Sequence, residues 1–414
     1  MKILLYVLLL IHCAVYADAT LAPHLPAENA VKEALLASPL IHAAQAKKNA
    51  WTARAQAIDA GNAEFTLRST AQHRRDVATR NTMYESLVSI ERPIRLWGKR
   101  TIDADLSTKT QVFAEIEFAD AMHEGSRDLL KLWFAYKRAL ADEKNAGMTL
   151  DLARKMLRLT QSQLKQGEIS NRDAELAKAE FERISAMQSI AQAQRASAAT
   201  AISRRYPTLV LPQEGIGADN APLPQLMEPM ERMRDAFLEK NHELHMMRSE
   251  AQRLKLVAER MSRDRYPDPT IGAFSGRERA GSEQTTGVML SVPFPSAYRG
   301  FSADAAFADA LVAQDKILLA QQQLGAYFED IWIQFQHKRD AAENLKSAYQ
   351  RQALAAEKST KAYTLGEGTL SDLLLIARMA SDNLHACERM QLEVIELLAL
   401  IRLDMHQIWD FDDM

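Results

Sequence analysis

The chain has 414 residues, 47% hydrophobic and 25% charged, which is the composition of a folded rather than a disordered protein, with room for two or three domains. Its 51 basic and 54 acidic residues leave a formal net charge of −3, which excludes the basic field that a nucleic-acid groove needs. Beyond the N-terminus no stretch reaches ~18 uninterrupted apolar residues, so the chain does not cross a membrane as helices, and any membrane contact falls to strands.

Met1-Lys2, the apolar run from Ile3 to Ile11 and the small residues around Ala14-Val15-Tyr16-Ala17 read as a secretory signal peptide over 1–17. His12 in front of Cys13 is the wrong size for a lipidation site. Once the leader is removed, Cys387 is the one thiol left, so the mature chain has no internal disulfide.

The Ala-rich segment from Ala30 to Ala60 predicts a helix, stopped by Gly61-Asn62. Two strands follow, at about 63–72 and 82–93. In the second, Tyr84, Ser86, Val88 and Ile90 share one side and Glu85, Ser89 and Glu91 the other, until Pro93 ends it. From 101 to 166 there is no proline, and a helix of these 66 residues is about 100 Å long. Met148, Leu152, Met156 and Leu159 form a narrow coiled-coil-like stripe on it. After a turn at Gly167 another helix runs from Asp173 to about Ser203. The Pro- and Gly-rich segment 206–226 is a linker. The plan then repeats, with a helix over about 230–263, strands at about 269–278 and 284–295, a long helix at about 302–365, a turn at Gly366 and a last helix to about 408.

The repetition is quantitative. Gly167, Glu168, Asp173 and Trp133 each recur 199 residues later, as Gly366, Glu367, Asp372 and Trp332. A period this long is a duplicated half-protein rather than a solenoid. The repeats are 18–205 and 227–414. Within the first repeat the two shorter helices together nearly match the long one, so they can stack end to end beside it, with the strands at one end of a rod and the Gly-Glu turns at the other. The fold class is therefore mainly α with a small β part, built of long antiparallel helical hairpins. Four strands are too few to close a barrel; two chains supply eight, three supply twelve, and the remaining possibility is two soluble hairpins packed on the helices.

The duplicated plan, the segment Arg92-Pro93-Ile94-Arg95-Leu96-Trp97-Gly98-Lys99-Arg100 and the paired turns Gly167-Glu168-Ile169-Ser170-Asn171-Arg172-Asp173 and Gly366-Glu367-Gly368-Thr369-Leu370-Ser371-Asp372 resemble the TolC-like outer-membrane factor family over nearly the whole mature chain. The Leu-Trp-Gly-Lys-Arg segment is most similar to the heavy-metal cation efflux branch. The resemblance implies a homotrimer in the outer membrane of a Gram-negative bacterium, with a twelve-stranded barrel in lipid and a helical tunnel in the periplasm. It also implies partners, a periplasmic adaptor protein and an inner-membrane pump. Conduction would be passive, and no cofactor, bound metal or nucleic acid is implied.

The same resemblance makes Asp372, just after the second turn, the residue lining the periplasmic constriction, with Asp173 its weaker counterpart. A ring of aspartates would attract cations. Where the family pattern often carries a second acid, this chain has Leu375, so the constriction is expected to be partly apolar. Asp173 also reads as a carboxylate at a helix N-terminus, stabilised by the dipole. Gly167, Gly366 and Gly368 are expected to permit positive φ at tight turns, and with Glu168 and Glu367 to offer the adaptor contact.

His242 and His245 lie one helical turn apart, but a pair on an exposed helix without a third ligand does not make a metal site. Met227, Met230 and Met233 read as packing at the start of a helix. No Gly-Lys-Ser/Thr phosphate loop is present, Gly215-Ile216-Gly217 lacks a third glycine, and no nucleophile motif appears, so an enzyme is not expected. Two other readings are a protein-secretion duct of the same fold and a non-conducting periplasmic adaptor or scaffold.

Overall fold

The computed structural model describes residues 21–213, 223–226 and 228–411. The expected leader with Cys13, the Gly215-Ile216-Gly217 segment and Met227 lie outside these residues. The order of elements is α1 (Glu28–Leu36), α2 (Pro39–Ala60), β1 (Thr66–Arg75), β2 (Thr82–Pro93), α3 (Lys99–Lys165), α4 (Asn171–Arg205), α5 (Met230–Lys240), α6 (His242–Arg263), β3 (Thr270–Glu278), β4 (Glu283–Ser291), α7 (Ala297–Thr364) and α8 (Leu370–Asp404). No described helix is long and apolar enough to cross a membrane. The protein is thus mainly helical with one small sheet.

Each first helix of the two repeats is broken, which the apolar pattern did not reveal. In the first repeat Pro39 lacks the N–H that would continue α1, and Ser38 Oγ accepts from the Ile41 amide at 3.3 Å to begin α2. In the second the break falls at Asn241, whose backbone is extended at φ −64° and ψ 121°. Other ends shift as well. β4 stops at Ser291, short of Pro293 and Pro295, which cannot donate to a ladder. β1 lies three residues later than expected, because its pairing with β2 (Thr66 with Glu91, Arg75 with Thr82) sets its ends.

The residues divide into two compact units, each drawing on both repeats. One, the turn unit, takes the chain up to Ala43, Ala121–Asn241 and the chain from Gln323 on; the other, the strand unit, takes Ala44–Asp120 and His242–Gln322.

In the strand unit all four strands form one antiparallel sheet in the order β1-β2-β3-β4. The two hairpins, one from each repeat, join through β2 and β3. β1 and β4 are open edges within the chain. Beneath the sheet, the Arg92–Arg100 segment is the anchor. The Lys99 ammonium is buried, and it donates to the Tyr266 carbonyl at 2.7 Å and pairs with Asp264 and Asp268 at 2.9 Å each. Arg95 donates to the carbonyls of Asp59 and Ala60 at the end of α2 and pairs with Asp103 at 3.0 Å, which Arg260 also holds at 2.5 Å. A buried cation is tolerated only when paired in this way. The segment therefore ties the end of β2 to three helices.

In the turn unit polar pairs join α3 to α8. Asn145 donates to Glu388 at 2.6 Å, Thr149 and Ser381 hydroxyls meet at 2.8 Å, His385 lies 2.7 Å from Asp142, and Arg138 pairs with Glu396. The Asp142 hydrogen bond raises the His385 pKa above its ordinary value, and burial raises that of Glu396. Cys387 is buried on α8, and burial pushes its thiol up.

Candidate functional site

The sheet has two chemically distinct faces, and the register assigns every strand residue to one of them. On one face lie Arg68, Gln72 and Arg74 of β1, Glu85, Ser89 and Glu91 of β2, and Gly272, Phe274 and Gly276 of β3. Its charges are internally matched: Arg68 pairs with Glu91 at 3.1 Å, Arg74 with Glu85 at 3.3 Å, and Gln72 donates to Glu85 at 2.9 Å. Glu85 and Ser89 are buried, as on a concave surface. Gly287 faces Phe274, whose ring would lie 2.6 Å from an added Cβ, so a side chain there would collide with it.

The opposite face carries Leu67, Val88, Ile90, Ile271, Val288 and Leu290, all exposed. Val288 is 86% exposed and Leu290 69%. A contiguous apolar face on a sheet is a surface that needs a cover. At the end where the strands join the helices, Phe65, Trp97, Tyr266, Phe294, Tyr298 and Phe301 are also exposed. Exposed aromatic rings beside an apolar strand band are the arrangement of an interfacial girdle.

The two turns, which share Gly, Glu and Asp at a spacing of 199 residues, are built alike in the turn unit. Gly167 and Gly366 take φ of 75° and 81°, with open space around each Cα. The amides of Glu168 and Glu367 each reach back to a helix carbonyl at 2.9 Å, so each glycine ends its helix in a left-handed cap. Ser170 then caps α4 and Thr369 caps α8: their side-chain oxygens accept from the amides of Asp173 at 3.2 Å and Asp372 at 3.1 Å. Both hydroxyls return a hydrogen bond to the carboxylate, at 2.8 Å and 2.7 Å. The aspartate stands where a capping box has glutamate, but its carboxylate is met by the cap residue's hydroxyl. Glu168 and Glu367 are exposed at the tips.

Gly368 departs from expectation. Its φ is not positive, and a Cβ there would come no nearer than 3.8 Å to the Tyr363 backbone, an ordinary contact. The left-handed position in the second turn is Gly366, and one such residue completes the cap.

The tips pack together. Tyr363, Leu370 and Leu373 are buried with Ala177, against Met156, Leu157, Leu159 and Leu374, and the Tyr363 hydroxyl donates to Gln163 at 2.9 Å. Of the expected stripe on α3, Met156 and Leu159 join this cluster, while Met148 and Leu152 stay exposed. Asp372 is exposed, and Leu375 is 58% exposed. Asp173 is partly covered; the Ser170 hydroxyl, followed by nearby Arg172, holds its carboxyl below the usual range. Among the described residues Asp372 has no ion-pair partner.

His242 is buried rather than exposed, because the chain bends at Asn241 and α6 begins with its first residue covered. His123 and His406, far apart in sequence, stack at 5.3 Å, with His123 Nε2 3.3 Å from Asp404. No spacing rule in the sequence brings these two together.

No protein-family model matches the sequence, and no curated protein matches it. The fold, in contrast, is that of bacterial outer-membrane channels. It superposes on the Campylobacter jejuni CmeC outer membrane channel with a TM-score of 0.74 at 14% identity, over 92% of this chain and 85% of that one. Vibrio cholerae outer membrane protein VceC gives a TM-score of 0.71 at 18% identity, over 91% and 95%. The open state of the Neisseria gonorrhoeae MtrE outer membrane channel gives 0.61 at 14% identity, over 91% and 88%.

Proposed function

We propose that this chain is the outer-membrane channel of a tripartite efflux system, acting as a homotrimer and giving passive exit to its substrate. The observation that carries this reading is the two-faced sheet. Four strands with two open edges, an exposed apolar face and a self-neutralised polar face are what one third of a barrel requires: lipid outside, water inside, and neighbours on both edges. Twelve strands leave a lumen, whereas eight are filled by their own side chains. The fold shared with outer-membrane channels supports the same reading, as does the aromatic girdle at one end of the strands. A non-conducting adaptor has no use for an apolar sheet face.

In this reading the capped turns form the periplasmic mouth, where the exposed Glu168 and Glu367 tips meet the adaptor and Asp372 and Leu375 form the constriction. Three Asp372 carboxylates, without an ion pair among the described residues, would draw cations to it. The Leu96–Arg100 segment and this acidic ring favour heavy-metal cations as cargo. Energy comes from the inner-membrane pump, and this chain performs no chemistry.

The mass of the particle extracted from the outer membrane in detergent tests the proposal. Three chains per particle is the expected result; a soluble monomer recovered from the periplasm would overturn it.

A further inference from the structure

The arginines of the sheet are treated differently on its two faces. Arg68 and Arg74, on the polar face, are paired with Glu91 and Glu85. On the apolar face, Arg92 lies at the helix-joined end and is also satisfied: it donates to the Ala63 carbonyl at 3.1 Å and stacks over Phe65 at 4.7 Å. Arg75 and Arg277 also belong to the apolar face, at its hairpin end; the register sets Arg75 opposite Thr82 and Arg277 between Ser86 and Gln284. Both are exposed, and among the described residues neither has an ion-pair partner. No carboxylate shares their face at that end, since Glu85 and Glu278 project to the other side.

We propose that Arg75 and Arg277 bind the phosphate groups of a phosphorylated glycolipid in the outer leaflet, an assignment that rests on the reading of the strands as membrane-crossing. Position argues for a lipid. Ile271 and Arg277 lie on the same face six residues apart, so the Arg277 backbone lies about 20 Å along the strand from the far edge of the apolar band, with Arg75 further still. An arginine in mid-membrane is costly but is tolerated at the interface, where its stem lies along apolar surface and its head reaches the headgroups. The occupant must therefore cover Val88 and Val288 with hydrocarbon while offering anions to planar, five-donor guanidinium groups, a match that phosphate oxygens make bidentately. Free phosphate meets the second requirement and not the first. The paired Arg92 leaves the other end without this demand, so the two leaflets are read differently.

The test uses the full-length protein reconstituted in phosphatidylcholine vesicles containing diphosphorylated lipid A, then extracted gently and weighed by native mass spectrometry for retained lipid. Arg75→Gln with Arg277→Gln is expected to lower lipid A retention about tenfold, while Arg68→Gln on the polar face leaves it unchanged. Equal retention by the double variant would overturn the proposal, as would equal displacement of lipid A by phosphatidylglycerol or by inorganic phosphate. Vesicle flotation, run alongside, separates the two levels. Protein that inserts yet retains lipid A independently of these arginines contradicts only the lipid site, whereas protein that fails to insert in any vesicle contradicts the membrane reading and the site with it.

Discussion

The two turns are a natural experiment, because they share one backbone arrangement and differ in their neighbours. Each ends a helix at a left-handed glycine and starts the next with a hydroxyl cap and an aspartate, at hydrogen-bond distances that differ by about 0.1 Å. What differs is burial and charge. At the positions where the second copy buries Leu370 and Leu373, the first has Asn171 and Ala174. Arg172 sits 3.4 Å from Asp173, while Leu370 and Ser371 precede Asp372, which has no ion-pair partner among the described residues. The lesson is that one cap geometry can be set among quite different neighbours. The second copy holds the tips together and leaves the freer carboxylate.

The largest expected effect separates the leucines. Leu373→Ala removes a side chain that is 2% exposed and should destabilise the turn unit by about 2–5 kcal/mol, whereas Leu375→Ala at an exposed site should stay within about 0.5 kcal/mol. Circular-dichroism melting of both variants checks this; equal midpoints would break the asymmetry. Next come the glycines. Gly366→Val forces a β-branched residue to φ near 81° and should cost about 1–2 kcal/mol, while Gly368→Ala should be neutral or slightly stabilising.

A smaller effect concerns charge. Asp372→Asn should weaken divalent-cation block of the channel by a factor of about three to ten, and Asp173→Asn should change it far less. Equal effects would mean that both copies line the constriction. The smallest is the pH response. The Asp173 carboxyl is held below its ordinary value by Ser170, so its contribution to stability is present above the unfolded pKa and lost as pH falls through the folded one. Ser170→Ala should lower the melting temperature at neutral pH and flatten the acid limb, its deficit against the wild type narrowing as pH falls through the folded pKa.

Much of this architecture is legible in the sequence for identifiable reasons. The outward apolar face of β4 is announced by Val288 and Leu290, because alternation survives where one side of the strand is apolar and the other polar. β1 is harder to locate: its outward positions include Ser69 and His73, so the pattern has little amplitude, and its ends are set by pairing with β2. Pro39 carries its own explanation for the helix break, but Asn241 does not, since asparagine is common inside helices. Gly368 looked like a second left-handed position because glycine is permissive; the backbone needs only one. Least legible are Arg75 and Arg277. They are 202 residues apart, and only the register puts both on the apolar face.

Conductance across a planar bilayer tests the central claim most directly. Purified particles, shown by flotation to insert, are added to one side under a salt gradient. The proposed channel predicts discrete current steps with a reversal potential favouring cations, shifted toward zero in Asp372→Asn. Inserted protein that leaves the bilayer electrically silent in both wild-type and variant form would contradict it.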